Sequence, residues 1–174
     1  MRYSSLHNCV QDLEKTDQLL RIKSQIDPFL EAAEIHRRIY DRKGPAILFE
    51  NIKGSPFPAL SNLYGTFERT DFLFRSTLSA VQKLIEIKAD PIRAIKFPLR
   101  YISTLLTALR ALPRKSLISK PILHGKTQLS NLPQIVSWPD DGGAFITLPQ
   151  VFSLPPKTEK IMKSNLGMYR IQIS

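Results

Sequence analysis

The chain has 174 residues, 43% hydrophobic and 23% charged, which supports a packed core and excludes a miniprotein, a collagen-like repeat and a disordered tail. Its formal charge of +10 attracts phosphate, whether on nucleic acid, an anionic membrane or a phosphorylated cofactor, without choosing among them. Cys9 is the only cysteine, so an internal disulfide and a thiolate-rich metal site are excluded and a reducing, cytoplasmic compartment is expected.

From the N-terminus, charges recur every few residues between Met1 and Lys23, leaving no apolar stretch of the secretory type. Ser4 to Asp17 reads as an amphipathic helix with Leu6, Cys9, Val10 and Leu13 on one face, and Leu19 to Ile26 as a strand. Asp27-Pro28 pairs a capping carboxylate with proline, predicting a helix that starts there and ends at Lys43-Gly44-Pro45. On that helix, His36 shares a stripe with Phe29, Ala32, Ala33, Ile39 and Tyr40 and is expected to be packed rather than catalytic.

Ala46 to Phe49 is short and wholly apolar, as a buried strand is, and Ala59 to Leu63 reads as another after the Gly54-Ser55-Pro56 turn. Phe74, Leu78, Val81 and Ile85 recur at helical spacing, predicting one amphipathic helix over Asp71 to Lys88. Asp90-Pro91 opens a further helical stretch, interrupted at Pro98 and ending at Leu112-Pro113. These features predict an N-terminal α/β domain over residues 1–115.

Beyond Arg114-Lys115, prolines separate short apolar runs such as Gln134 to Trp138 and Phe145 to Leu148, predicting a β-rich second region over 116–174 with the boundary at about Lys115 to Ser119. Its final strand begins at Gly167, and a β-region of this size looks cut short, lacking partners for its edges.

Catalytic constellations of the common kinds are missing. His7, His36 and His124 form no ligand pair, no G-x-S-x-G elbow occurs, and Gly125-Lys126-Thr127 lacks the upstream glycine of a phosphate loop, where Lys120 stands. Asp140-Asp141-Gly142-Gly143 could chelate a cation but reads more simply as a tight turn. In Asn165 to Gln172, strand alternation places Met168, Arg170 and Gln172 on one face and Tyr169, Ile171 and Ile173 on the other. Asn165 has the opposite parity from Arg170, and a bulge at Gly167 could turn both toward one cavity. Asparagine offers an oxygen to a hard cation, and arginine a planar fork to phosphate or carboxylate. A plain surface strand would carry the same pattern.

Four stretches, LEKTDQLLRIKSQIDPFLEAAEI, GPAILFENIKGSPFPALSNLYGT, LPQIVSWPDDGGAFITLPQVFS and NLGMYRIQ, together resemble the UbiD-like family of prenylated-flavin-dependent decarboxylases, in the family's order and over most of the chain from Leu13 to Gln172. Only Phe72 to Gln128 matches poorly. The resemblance implies an α+β architecture in which the α/β domain is followed by the first strands of an incomplete split β-barrel that binds flavin. It further implies that Asn165 holds a divalent metal, usually manganese, bridging to the cofactor phosphate. Met168, Tyr169 and Arg170 would line prenylated FMN, and Arg170 would belong to the catalytic acid–arginine–acid network.

The implied reaction removes carbon dioxide from an aromatic or α,β-unsaturated carboxylic acid, quinone-precursor decarboxylation being the family's best-known role. The family's catalytic acids, metal-binding glutamate and oligomerisation domain have no counterpart in this sequence. The chain is thus expected to be an N-terminal fragment, inactive alone, or one half of a split enzyme completed by a second chain; full-length relatives form homo-oligomers. The alternative is a non-catalytic basic module that lies on an anionic membrane, or on nucleic acid, through Arg93, Lys96, Arg100, Arg110, Arg114 and Lys115. For those residues a core-facing helix with a solvated rim is the simpler reading, so nucleic acid is not an expected partner and membrane contact would be peripheral.

Overall fold

The computed structural model describes residues 3–113 and 126–173, apart from the side chains of Arg93, Ala94, Leu105, Leu106, Arg110 and Ala111. The expected boundary at 115–119, together with Arg114, Lys115, Lys120, His124 and Gly125, lies outside the described residues. The fold is mixed α+β, as expected. Helices α1 (Leu6–Lys15), α2 (Glu31–Asp41), α3 (Phe67–Phe74), α4 (Leu78–Ala89), α5 (Pro91–Lys96) and α6 (Pro98–Ala111) accompany strands β1 (Leu19–Ile26), β2 (Ala46–Ile52), β3 (Ala59–Ser61), β4 (Ala144–Ser153) and β5 (Asn165–Ile173). Two compact units emerge: one from the described parts of 3–70, 120–151 and 166–174, the other from those of 71–119 and 152–165.

In the first unit, β1 and β2 pair in parallel, from Leu19 opposite Ala46 to Ile26 opposite Ile52, with a register shift between Ile22 and Gln25. Parallel neighbours need a crossover, which α2 supplies. β3 then adds antiparallel to β2, giving the order β1-β2-β3. The core forms where the apolar stripe of α2 meets this sheet: Ile26, Ala32, Ile47, Phe49 and Ile52 are buried, with Ile22, Ile35, Ile39 and Ala59 packed around them. α1 is capped by Ser5, whose Oγ accepts from the Asn8 amide at 3.3 Å, and it buries Cys9, Val10 and Leu13. Arg21 on β1 ties α1 to β2, donating to Glu14 at 2.5 Å and to Glu50 at 2.6 Å.

The sequence expectation for the start of α2 is corrected by three residues. Asp27-Pro28 forms a turn, because the backbone from Pro28 to Leu30 is committed elsewhere: Val136 donates to the Pro28 carbonyl at 3.0 Å and Leu30 donates to the Val136 carbonyl at 3.1 Å. The Asp27 carboxylate still accepts from the Phe29 amide at 2.9 Å, and Glu31 reaches back to the Asp27 amide at 2.6 Å. At the other end the helix stops as expected, but Lys43 takes the left-handed conformation, with φ 53°. Gly44 is required for space instead, since a Cβ there would lie 2.8 Å from Ile39 Cγ2.

A second correction concerns residues 71–88. The predicted single helix is two, α3 and α4, separated where Thr77 donates to the Phe74 carbonyl at 2.8 Å. Of its proposed apolar stripe, Phe74, Val81 and Ile85 are exposed. The interruption before Pro98 occurs as predicted. Within this second unit, Tyr101 is buried and donates to Glu86 Oε2 at 2.9 Å, joining α6 to α4. Gln134 to Trp138 is not a strand and contributes a single bridge, Val136 opposite Phe29. β4 and β5 form a two-stranded sheet. No helix among the described residues is long and apolar enough to cross a membrane.

Candidate functional site

β5 carries the four residues expected to hold metal and flavin, Asn165, Met168, Tyr169 and Arg170. Asn165 opens the strand and is exposed, as are Met168, Tyr169 and Arg170. The predicted alternation is visible in the contacts: Arg170 and Gln172 both engage the turn before β4, while the Tyr169 ring lies over Gly167. Gly167 does not adopt a left-handed φ, so a glycine-type bulge does not form there. Its lack of a side chain has another use, because a Cβ at 167 would sit 2.5 Å from Tyr169 Cε2.

Arg170 is held on two sides. Its Nη2 donates to Asp141 Oδ2 at 2.8 Å, and its guanidinium lies over the Phe145 ring, 3.6 Å from the centroid. Asp141 belongs to the turn over 138–141, in which its amide donates to the Trp138 carbonyl at 3.1 Å and its carboxylate accepts from the Trp138 amide at 3.2 Å. The tight turn expected at Asp140-Asp141-Gly142-Gly143 thus falls two residues earlier, centred on Pro139-Asp140, and Gly143 needs its glycine for a φ of 139° as the chain enters β4. Sequence reasoning missed Asp141 and Phe145 as neighbours of Arg170. Their only signal is their place in the quoted LPQIVSWPDDGGAFITLPQVFS stretch.

Phe145 also lines a cavity of about 970 Å³ in the same unit, with Tyr40, Phe49, Trp138 and His36 among its walls. His36 Nδ1 and Ser61 Oγ share a hydrogen bond at 2.7 Å, and the imidazole stacks on Tyr40 with ring centroids 6.1 Å apart. Burial pushes the His36 pKa down, so the ring is neutral near pH 7. His36 is thus packed and hydrogen-bonded, as its helical stripe suggests.

A divalent metal does not fit a site made from the described residues alone. Among them no group of three or more His, Cys, Asp or Glu side chains could hold one, and Asn165 brings a single neutral oxygen. A flavin edge fits better: exposed Met168 and Tyr169 offer apolar and aromatic surface, and the half-exposed Arg170 offers N–H groups to a phosphate. On the second unit, Ile95 is 80% and Leu99 85% exposed, with the basic side chains of Lys96 and Arg100 exposed among them. The core-facing reading of these helices is not what the structure shows at these positions.

Two family models match the chain. The 3-octaprenyl-4-hydroxybenzoate carboxy-lyase N-terminal domain matches residues 10–88, and the Rift-related domain of the same carboxy-lyase matches 114–174. An uncharacterized protein of Chlamydia trachomatis is 40% identical over 172 residues, covering 97% of this chain and 29% of the relative. A protein of Chlamydia pneumoniae named as a 4-hydroxybenzoate decarboxylase subunit is 39% identical over 161 residues, covering 89% of this chain and 26% of its own length. The chain therefore spans less than a third of these curated relatives. Among solved structures, the vanillic acid decarboxylase of Sedimentibacter hydroxybenzoicus in its open form superposes with a TM-score of 0.70 at 21% identity, over all of this chain and 37% of that one. An evolved dimeric form of the UbiD-class enzyme HmfF from Pelotomaculum thermopropionicum, in complex with prFMN, gives 0.64 at 21% identity over 98% of this chain and 36% of that one.

Proposed function

The chain belongs to the UbiD carboxy-lyase family, and from that premise we propose that it forms one edge of a prenylated-FMN site in an enzyme that decarboxylates an aromatic or unsaturated acid. A quinone precursor of the 4-hydroxybenzoate type is the first candidate substrate, on the strength of the family description. The division proposed is an N-terminal domain over 1–115 and a flavin-binding region over 116–174, supported by the two matched segments. The observation that carries the reading is the strand Asn165–Ile173, on which Met168, Tyr169 and Arg170 lie exposed within the Rift-related match.

In this proposal Met168 and Tyr169 pack against the flavin, Asn165 supplies one oxygen to a divalent metal, and Arg170 is the cationic member of the catalytic network. When bound, the prenylated flavin would supply the sink for the electron pair left on the substrate as carbon dioxide departs. Arg170 would hold negative charge, whether substrate carboxylate or cofactor phosphate, and keep neighbouring acids ionised. The proton donor and the remaining metal ligands would come from polypeptide outside the described residues, in the same chain or a second one. The naming of the Chlamydia pneumoniae relative as one subunit of a decarboxylase supports a multi-chain enzyme.

The test is reconstitution of the purified chain with prenylated FMN, followed by gel filtration, flavin absorbance and assay of carbon dioxide release from aromatic acids. Expected are a loosely held flavin, no turnover, and loss of the residual flavin in Arg170→Ala. Equal flavin retention by wild type and Arg170→Ala would remove the cofactor-edge reading. Turnover by the isolated chain would remove the requirement for other polypeptide.

The exposure of Ile95 and Leu99 beside Lys96 and Arg100 favours a second reading, in which α5 and α6 rest on an anionic membrane surface. Sedimentation with vesicles containing phosphatidylserine, abolished by salt or by Lys96→Glu with Arg100→Glu, would support it; no sedimentation at low salt would dismiss it.

A further inference from the structure

An arginine on an exposed strand ordinarily samples many rotamers, and a surface ion pair alone does little to stop it. Arg170 departs from that condition in three respects. Its carboxylate partner is the less mobile member: the Asp141 side chain is only 11% exposed against 45% for Arg170. The same Asp141 Oδ2 is pinned by the Trp138 amide at 3.2 Å, so its position is set by backbone. The Phe145 ring then supports one face of the guanidinium at 3.6 Å, a contact that orients the plane as well as the charge. A neighbouring clasp fixes the strand to the turn, Gln172 Nε2 donating to the Gly142 carbonyl at 2.7 Å.

We infer that Asp141 and Phe145 are positioning residues for Arg170: the turn carboxylate holds one N–H of the guanidinium and the ring one face, orienting the remaining N–H groups for an incoming anion before it arrives. This rests on the reading of Arg170 as the cationic member of a flavin and acid site. Neither positioning residue lies in the NLGMYRIQ stretch, and the role assigned to each requires contact with Arg170 alone. Their contribution is preorganisation, because an arginine already ordered loses less freedom when it binds.

The experiment follows the Arg170 guanidinium Nη–Hη signal of the full chain by NMR, identified by its loss in Arg170→Lys. In wild type the signal is expected to be resolved, shifted by the Phe145 ring current and protected from exchange. Asp141→Asn keeps an oxygen for the Trp138 amide, so near-ultraviolet circular dichroism of Trp138 should be unchanged while the Arg170 Hη protons exchange about ten-fold faster and FMN affinity falls about ten-fold. Phe145→Leu should remove the ring-current shift, and it decides the matter if Asp141→Asn does not fold. An Arg170 signal identical in wild type and in both variants would overturn the inference. If wild type does not bind FMN, the cofactor-edge reading fails, while the Arg170 signal still decides positioning.

Discussion

His36 Nδ1 lies 2.7 Å from Ser61 Oγ, so that a side chain of α2 is tied to β3 through a partly buried neutral imidazole. Because burial lowers the His36 pKa in the fold below its ordinary 6.5, the unfolded chain binds protons first as pH falls. The stability that neutral His36 confers is therefore complete above about pH 6.5 and is lost as pH drops through the folded value. Thermal unfolding from pH 7.5 to 5 should show a decline that His36→Gln flattens. At lower pH a second decline should remain in that variant. Asp27 is held below the usual carboxylate range by the Phe29 amide and Lys53, and Glu34 by Arg38 and Arg37, and their stabilisation disappears as pH falls through those depressed values.

Arg69 is buried with no carboxylate partner among the described residues, its guanidinium donating to the carbonyls of Leu63, Gly44 and Asn62 at 3.1, 3.0 and 2.8 Å. Arg69→Met would take the guanidinium donor from the Leu63 carbonyl and one of two donors from each of the Gly44 and Asn62 carbonyls, which keep Asn62 Nδ2 and the Gly65 amide, and should cost about 3 kcal/mol in urea unfolding. Arg69→Lys should rescue little of this, since an ammonium cannot span the same fork.

Gly65 faces the same cluster, and a Cβ there would collide with Asn62 Oδ1, whose own amide nitrogen donates to the Pro45 carbonyl at 2.8 Å. Gly65→Ala should therefore destabilise by about 1–3 kcal/mol, as overpacking does. Differential scanning calorimetry would reveal it as a lowered Tm.

Leu13 is fully buried where α1 meets the rest of its unit. Leu13→Ala should cost about 3–4 kcal/mol in chemical unfolding. Leu6 on the same helix is 61% exposed, and Leu6→Ala should fall within about 0.5 kcal/mol of wild type.

Gly167→Ala would displace the Tyr169 ring rather than any backbone, so its stability cost should stay near 1 kcal/mol. Tyrosine bands in near-ultraviolet circular dichroism should change, and with them flavin retention if Tyr169 packs on the cofactor.

The parts of the fold written in local chemistry are legible from the sequence. α2 stops just short of Gly44-Pro45, Pro98 divides α5 from α6, and Leu6, Cys9, Val10 and Leu13 trace a helix face of which the last three are buried. What fails depends on distant partners. Asp27-Pro28 has every local mark of a helix start, yet the Pro28 carbonyl accepts from the distant Val136 amide and Leu30 takes a left-handed φ of 64°. Periodicity in Phe74, Val81 and Ile85 shows one face but not what covers it, and these side chains are exposed. For the candidate site, Arg170 is visible through its motif. Asp141 is not, because a turn aspartate shows no sign of pairing with a strand residue 29 positions away until β4 and β5 come into register.

The bridge between Phe29 and Val136 has a kinetic consequence. It joins positions roughly a hundred residues apart, so the chain must surrender considerable loop entropy before these few hydrogen bonds return anything. The local β1-α2-β2 unit can assemble without it. Refolding should thus proceed in two stages, with the start of α2 and the Trp138 turn becoming ordered together, after the sheet that supports them.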